Sequence, residues 1–258
     1  ELVRFLTYFI TALQQYDPAF GEDVLSILRS PQFPPVEIIL TELLNQITSL
    51  ARKIMIVLDD YHLITEKSIH KAIYFFLENL PPETLLVIIS RADPPIPLAR
   101  YRARNQMTEL RVADLRFTFD EITPFLNISM QLNLSADQIQ SLDTRTEGWI
   151  AGLQMAALSL KGKDDIDRFI ADFSGSHRFI LDYLTDEVLR GQSKEIQDFI
   201  LQTSILDRLC GPLCDAVTGL SSSQEILEKL DENNVFLSPL DDDRVWYRYH
   251  HLFADVMT

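Results

Sequence analysis

Cysteine is nearly missing from this chain: Cys210 and Cys214 are all that its 258 residues contain. A disulfide scaffold needs more, and such sparing use of thiols fits a reducing, cytoplasmic setting. The pair stands four apart with no second pair of ligands, so buried thiols are expected rather than a zinc site. Glycine is scarce too, at 8 residues, and no stretch is of low complexity. Bases are outnumbered, 23 against 38 acids for a net charge of -15. That excess argues against the whole chain clinging to nucleic acid or to an anionic membrane. No apolar run approaches the roughly 18 residues of a membrane-spanning helix, and no signal-peptide pattern follows Glu1. A reading frame does not start with Glu, so residue 1 is expected to be a cut or processed end.

What is present is a folded composition, 47% hydrophobic, enough for one large core or two to three small ones. Residues 1–16 place Leu2, Phe5, Leu6, Phe9 and Leu13 at helical spacing. "SPQFPP" at 30–35 is a proline-marked break, and "VEIILTELLNQITSL" reads as a second amphipathic helix. "IMIVLDD" follows as a strand. "EKSIHKAIYFFLENL" is a third helix stopped by Pro81 and Pro82, and "ETLLVIISR" is a second apolar strand. Two strands apolar on both faces with a crossover-length helix between them predict a parallel sheet covered on both sides.

The segment 91–116 carries six arginines against three acids and predicts a proline-containing connection with a short strand near Leu110 to Val112. Thr118 and Glu121 form a capping-box pattern that opens a helix. Beyond it the chain reads as helical for about a hundred residues, through "SADQIQSLDTRTEG", "WIAGLQMAALSLK", "RFILDYLTDEVLRG", "SKEIQDFILQTS", "GPLCDAVTG" and "SSQEILEKLDENN". The β-rich arms Val235 to Leu240 and Val245 to Tyr249, around an acidic turn, predict a hairpin. Helices followed by a hairpin is the order of a winged helix. The fold class is therefore α/β followed by all-α: a partial α/β domain over 1–120, a small helical domain over 121–177 and a winged helix over 178–258.

The chemistry-bearing stretch is "IMIVLDDYHLI". A phosphoryl-transfer site needs one carboxylate to hold Mg²⁺, usually through water, and often a second to position the attacking water. A rigid strand end presents such groups to a crevice. Asp59 and Asp60 stand at that place, though strands also end on Asp simply because a turn begins. Arg91, at the end of the next strand, either senses a phosphate through paired hydrogen bonds or pairs with one of the two aspartates. The partner of such a strand is a G-x-x-x-x-G-K-[ST] loop whose backbone N–H groups wrap the phosphates. No glycine here sits in it: Gly162-Lys163 is followed by Asp164. Only helices precede Ile54, so the loop is expected to lie before residue 1.

"LDDYHLI", "LPPETLLVIISRADPPIPLARYRARNQMTELRVADLRFT", "TEGWIAGLQMAALSL", "QDFILQTSILDRLCGPLCDAVTG" and "YRYHHLFADVM" together resemble the large ATP-binding LuxR-type regulators, within the signal-transduction NTPases with numerous domains. The resemblance runs in order along essentially the whole chain. It implies the C-terminal part of a P-loop NTPase domain, a helical domain and a winged helix that close over ADP. It further implies that an inducer acting on a sensor repeat would permit exchange for ATP, after which the longer protein would self-associate and a helix-turn-helix would bind promoter DNA. It also implies roles: Asp59 as the Walker B acid holding Mg²⁺ through water, Asp60 as the water-positioning acid and Arg91 as the phosphate sensor. One of His250 and His251 would touch the ADP phosphate. ATP or ADP and Mg²⁺ are implied for the longer parent, with tight binding by this chain alone not expected. Gln154 stands where more distant relatives have a proline near the base.

Other groups carry less. His62 and His70 lack ligand-like spacing, although His62 is near enough to Asp60 to line a crevice. Arg100, Arg102 and Arg104 read as a solvated or ion-paired face or as a finger offered to a neighbouring protomer. Residues 181–258 hold fifteen acids and six bases, and the hairpin tip is "DDDR", so phosphate contact by that wing would be repulsive. Two other functions compete: a motor or loader ATPase whose winged helix grips DNA, and an interaction module without nucleotide.

Overall fold

The computed structural model describes residues 1–30, 34–163, 165–173 and 177–257. The expected proline break lies partly outside them, at 31–33, as does Asp164. The chain divides into two compact units, Glu1–Met107 and Thr108–Thr258.

In the first unit, α1 (Leu2–Leu13) buries Leu6, Phe9, Ile10 and Leu13, one stripe at helical spacing. α2 (Glu22–Leu28), which the sequence reading passed over, carries Glu22 and Asp23 in its first turn, where carboxylates suit the helix dipole. α3 (Val36–Ser49) is the expected second amphipathic helix and buries Ile39, Leu40, Leu43, Leu44 and Ile47. β1 (Ile54–Leu58) and β2 (Thr84–Ile88) pair in parallel, Ile54 opposite Thr84 and Leu58 opposite Ile88. The crossover between them is α4 (Lys67–Glu78), which ends at Asn79, short of Pro81. Phe9 meets Phe76 edge to face at 5.3 Å, joining α1 to α4 in the core beneath β1.

Two expectations fail here. Only the sheet face carrying Ile54, Ile56 and Leu58 is packed. On the other, Met55, Val57 and Leu85 are 60%, 49% and 53% exposed. The residues suit a sheet covered twice, but among the described residues only one layer of helices covers it. The strand expected near Leu110 to Val112 is also absent. Leu110 and Val112 are exposed, and the Asp114 carboxylate accepts the Arg111 N–H at 2.8 Å to open a single helical turn, α6 (Val112–Leu115). With no strand edge beside it, a β-prone tripeptide yields to local capping. The connection before it holds a further short helix, α5 (Leu98–Ala103), whose buried Tyr101 donates to Glu78.

The second unit is helical around one core. After the single turn of α6, which already belongs to this unit, α7 (Phe119–Pro124) opens as expected: Thr118 N–H and Oγ1 both donate to Glu121 Oε2, at 2.9 and 2.8 Å. Then come α8 (Ala136–Thr146), capped by Ser135 and Gln138, α9 (Ile150–Leu160), α10 (Ile166–Asp172) and α11 (Arg178–Leu184). α12 (Lys194–Thr203), α13 (Gly211–Thr218) and α14 (Ser223–Glu232) precede the expected hairpin. β3 (Leu237–Pro239) runs antiparallel to β4 (Tyr247–Tyr249), and Leu209 bridges to Tyr247 as a third strand position. The acidic turn is organised by Asp241, which accepts the Val245 and Trp246 N–H groups at 2.8 and 3.0 Å. α15 (His251–Met257) closes the core with Leu252 and Phe253. This is a winged helix. Cys210 and Cys214 are buried and free, and burial pushes the Cys214 thiol up to about 11. No helix among the described residues is long and apolar enough to cross a membrane.

Candidate functional site

Parallel pairing decides where the acids of the first unit stand. With Leu58 opposite Ile88, the residues that leave both strands do so at the same edge of the sheet. Asp59 and Asp60 follow β1 and are exposed, and Arg91 lies three residues beyond β2, also exposed. The turn after β1 is held tightly. Ile89 N–H donates to the Leu58 carbonyl at 2.9 Å, and Tyr61 N–H donates back to Ile89 at 3.0 Å. Asp60 takes the left-handed conformation at φ 50°, its N–H donating to Asp59 Oδ1 at 2.9 Å. A rigid turn thus presents two carboxylates to solvent beside the end of the next strand.

His62 belongs to the same turn: its Nδ1 accepts the Arg91 N–H at 3.4 Å, tying the end of β1 to the end of β2. His70 is accounted for differently. It lies 2.9 Å from the hydroxyl of Tyr61, whose burial pushes the phenol up to about 12. Arg100 is ion-paired with Glu78 at 2.9 Å and donates to Tyr74 at 2.7 Å, as an ion-paired face would. Among the described residues no group of three or more His, Cys, Asp or Glu could hold a metal. Asp59 and Asp60 are hard oxygen donors, the kind Mg²⁺ takes in ones or twos beside substrate phosphates and water. They fit that ion, whereas no glycine loop of this chain fits the phosphates.

In the second unit the two adjacent histidines have opposite surroundings. His250 is 5% exposed, packed against Trp149 and Phe236, with Nε2 3.0 Å from the Thr146 carbonyl. A carbonyl only accepts, so Nε2 carries the hydrogen, and the buried Nδ1 has no partner. Burial holds His250 below the ordinary histidine value, and Glu147 opposes that only in part. The His251 side chain is 60% exposed, with Nε2 3.8 Å from Glu147 Oε1.

Glu147 is the residue that sequence reasoning missed. Arg248 grips its carboxylate with both Nη atoms at 2.7 Å, Arg116 reaches it at 3.3 Å and His251 N–H at 3.4 Å. Burial alone would raise Glu147. The Arg248 hydrogen bonds and neighbouring positive charge outweigh it and bring the group down to about 2. The geometry rests on two glycines. Gly148, at φ +72°, would put a Cβ 2.5 Å from the Phe117 carbonyl, and Gly152 would put one 2.7 Å from the Trp149 ring. Gln154, on α9, is exposed. "TEGW" and "YRYHH" both carried the family resemblance, but an ion pair spanning 101 residues leaves no local pattern.

A family model described as the MalT winged helix domain matches residues 185–258, the segment holding α12 to α15 and the hairpin. The HTH-type transcriptional regulator MalT of Klebsiella pneumoniae is 31% identical over 258 residues, 98% of this chain and 28% of that protein. MalT of Vibrio cholerae is 30% identical over 256 residues, again 98% and 28%. The serine/threonine-protein kinase PknK of Mycobacterium tuberculosis is 31% identical over 255 residues, 99% of this chain and 23% of that protein. Along nearly its whole length the chain is thus similar to a part of MalT, and over residues 185–258 to the MalT winged helix domain. It spans about a quarter of the length of these curated relatives.

Proposed function

We propose that the chain is the nucleotide-binding oligomerisation region of an ATP-dependent, inducer-responsive transcription activator, a slow ATPase switch that is closed with ADP and opened with ATP. The observation that carries this reading is the parallel pairing of β1 with β2, which brings Asp59, Asp60 and Arg91 to one edge of a sheet. Asp59 would hold Mg²⁺ through water, and Asp60 would position the attacking water. Arg91 would bind a phosphate. When bound, Mg²⁺ would neutralise charge developing on the phosphates. Of the two histidines, His251 is the one whose ring is open to a phosphate, since the Nε2–H of His250 is already given to Thr146.

The similarity to proteins named as a kinase and as helix-turn-helix regulators supports a control segment rather than an output. Binding of promoter DNA, inducer and further copies is then assigned to the longer protein. The acidic "DDDR" wing tip counts against a loader ATPase that grips DNA with its wing.

The test is a fluorescent-ADP titration of this chain and of the longer protein containing it. Only the longer protein is expected to bind tightly, with Asp59→Ala weakening its Mg²⁺-dependent ATP binding at least 10-fold. Tight binding by this chain alone, or an Asp59→Ala protein that binds Mg²⁺-ATP normally, would remove the assignment.

A further inference from the structure

Several costly features meet at one contact inside the second unit. Glu147 and Phe236 are non-glycine residues at φ 50° and 48°, and they lie on its two sides. Between them sits His250, its N–H donated to the Phe236 carbonyl at 2.8 Å and its Nδ1 buried without a partner. Beside it the largely buried Glu147 carboxylate carries the two-pronged grip of Arg248. Left-handed backbone at a bulky residue, an orphaned buried lone pair and a desolvated ion pair each oppose folding. Apolar side chains would serve a purely structural contact better. Where several such costs meet, ligand clamps and switch regions are the common settings.

We infer that the contact between the α8–α9 turn, Thr146 to Trp149, and the end of β4, Arg248 to His251, is a proton-sensitive clasp in which Glu147 holds Arg248 when closed and protonation of His250 at Nδ1 opens it. The geometry supplies the reason. An Nδ1–H in the closed form would be a buried donor with no acceptor, so the proton is taken up only when the ring reaches water. His250 is faced by Glu147, which favours the imidazolium, and by Arg116 and His251, which oppose it. The Thr146 carbonyl and the rings of Trp149 and Phe236 complete its surroundings. Because the closed form binds fewer protons at this ring than the open form, closure gains as pH rises through the ordinary histidine range and is lost as pH falls. Glu147 acts in the same direction lower down, between its ordinary value of 4.5 and about 2.

Trp149, its ring 6.0 Å from that of His250, reports on the clasp once the chain's other tryptophan is removed as Trp246→Phe. Its fluorescence, followed from about pH 8 to 5 alongside far-ultraviolet circular dichroism, is expected to change reversibly while helix content stays constant. His250→Gln keeps a donor for Thr146 but does not titrate, and it should abolish the change. Glu147→Gln should move the midpoint up by about one pH unit, a tenfold easier opening. The clasp is refuted if Trp149 is silent over this range, if the change survives in His250→Gln, or if it coincides with loss of helix signal. Should Glu147→Gln fail to fold, the parent titration and the His250→Gln arm decide the question between them.

Discussion

The first unit keeps the charges of its candidate site in solvent, at the tips of two strands whose packing does not depend on them, while the second buries its charges and builds packing around them. Asp59, Asp60 and Arg91 are all exposed, and the core beneath β1 is made of aliphatic and aromatic side chains from α1 to α4. Glu147 and Arg248 are largely buried, and their ion pair joins the strand end to the helix turn. Carboxylates held ready for a ligand cost little stability when changed. A carboxylate that has replaced water with guanidinium cannot be altered without cost to the fold.

The difference can be broken in order of size. Both tryptophans, Trp149 and Trp246, belong to the second unit, so tryptophan fluorescence in urea reports that unit. Phe199 is 1% exposed in its core, and Phe199→Ala should lower its stability by about 3–5 kcal/mol. Arg248→Met strands the Glu147 charge and should cost roughly 3 kcal/mol near neutral pH. The acid limb sharpens this. In the closed arrangement, which His250→Gln should keep through the histidine range, Glu147 is held at about 2 against an ordinary 4.5, so in that background its contribution is complete above 4.5 and is lost as pH falls toward 2. That loss amounts to roughly 3 kcal/mol, and the Arg248→Met chain should show a flatter limb. A limb of equal slope would mean that another group carries the acid sensitivity.

Gly148→Ala should cost about 1–3 kcal/mol, since a side chain at φ +72° also meets the Phe117 carbonyl. Smallest is Asp59→Asn, expected within about 0.5 kcal/mol of the parent by hydrogen exchange at the β1–β2 amides. A loss well above 1 kcal/mol would make Asp59 a structural carboxylate and erase the contrast.

Much of this was legible in the sequence, where the signal is local. α1, α3 and α4 announce themselves by apolar residues three and four apart, and the Thr118–Glu121 cap by its own spacing. α2 buries only Val24 and Leu28, too little pattern to read. The β-prone residues near Leu110 misled because a strand needs an edge, and propensity does not reveal whether one is there. The apolar run of β1 correctly gave a strand but not how many layers cover it. At the site, strand ends made Asp59, Asp60 and Arg91 candidates together. The two histidines could not be separated, because alternation stops at the end of β4: Tyr247 and Tyr249 point inward and His250 follows Tyr249 into the core. Neighbours 101 residues apart, like Glu147 and Arg248, become visible only once the chain is folded.

The uncovered sheet face has a practical consequence at the bench. Met55, Val57 and Leu85, with Ile89 just past β2, form a greasy strip on an otherwise acidic protein. Sulfate strengthens apolar association while screening charge repulsion, so ammonium sulfate should precipitate this chain early and a phenyl column should retain it. A single Met55→Lys change should advance its elution, turning the chromatogram into a gauge of how much of that strip is open.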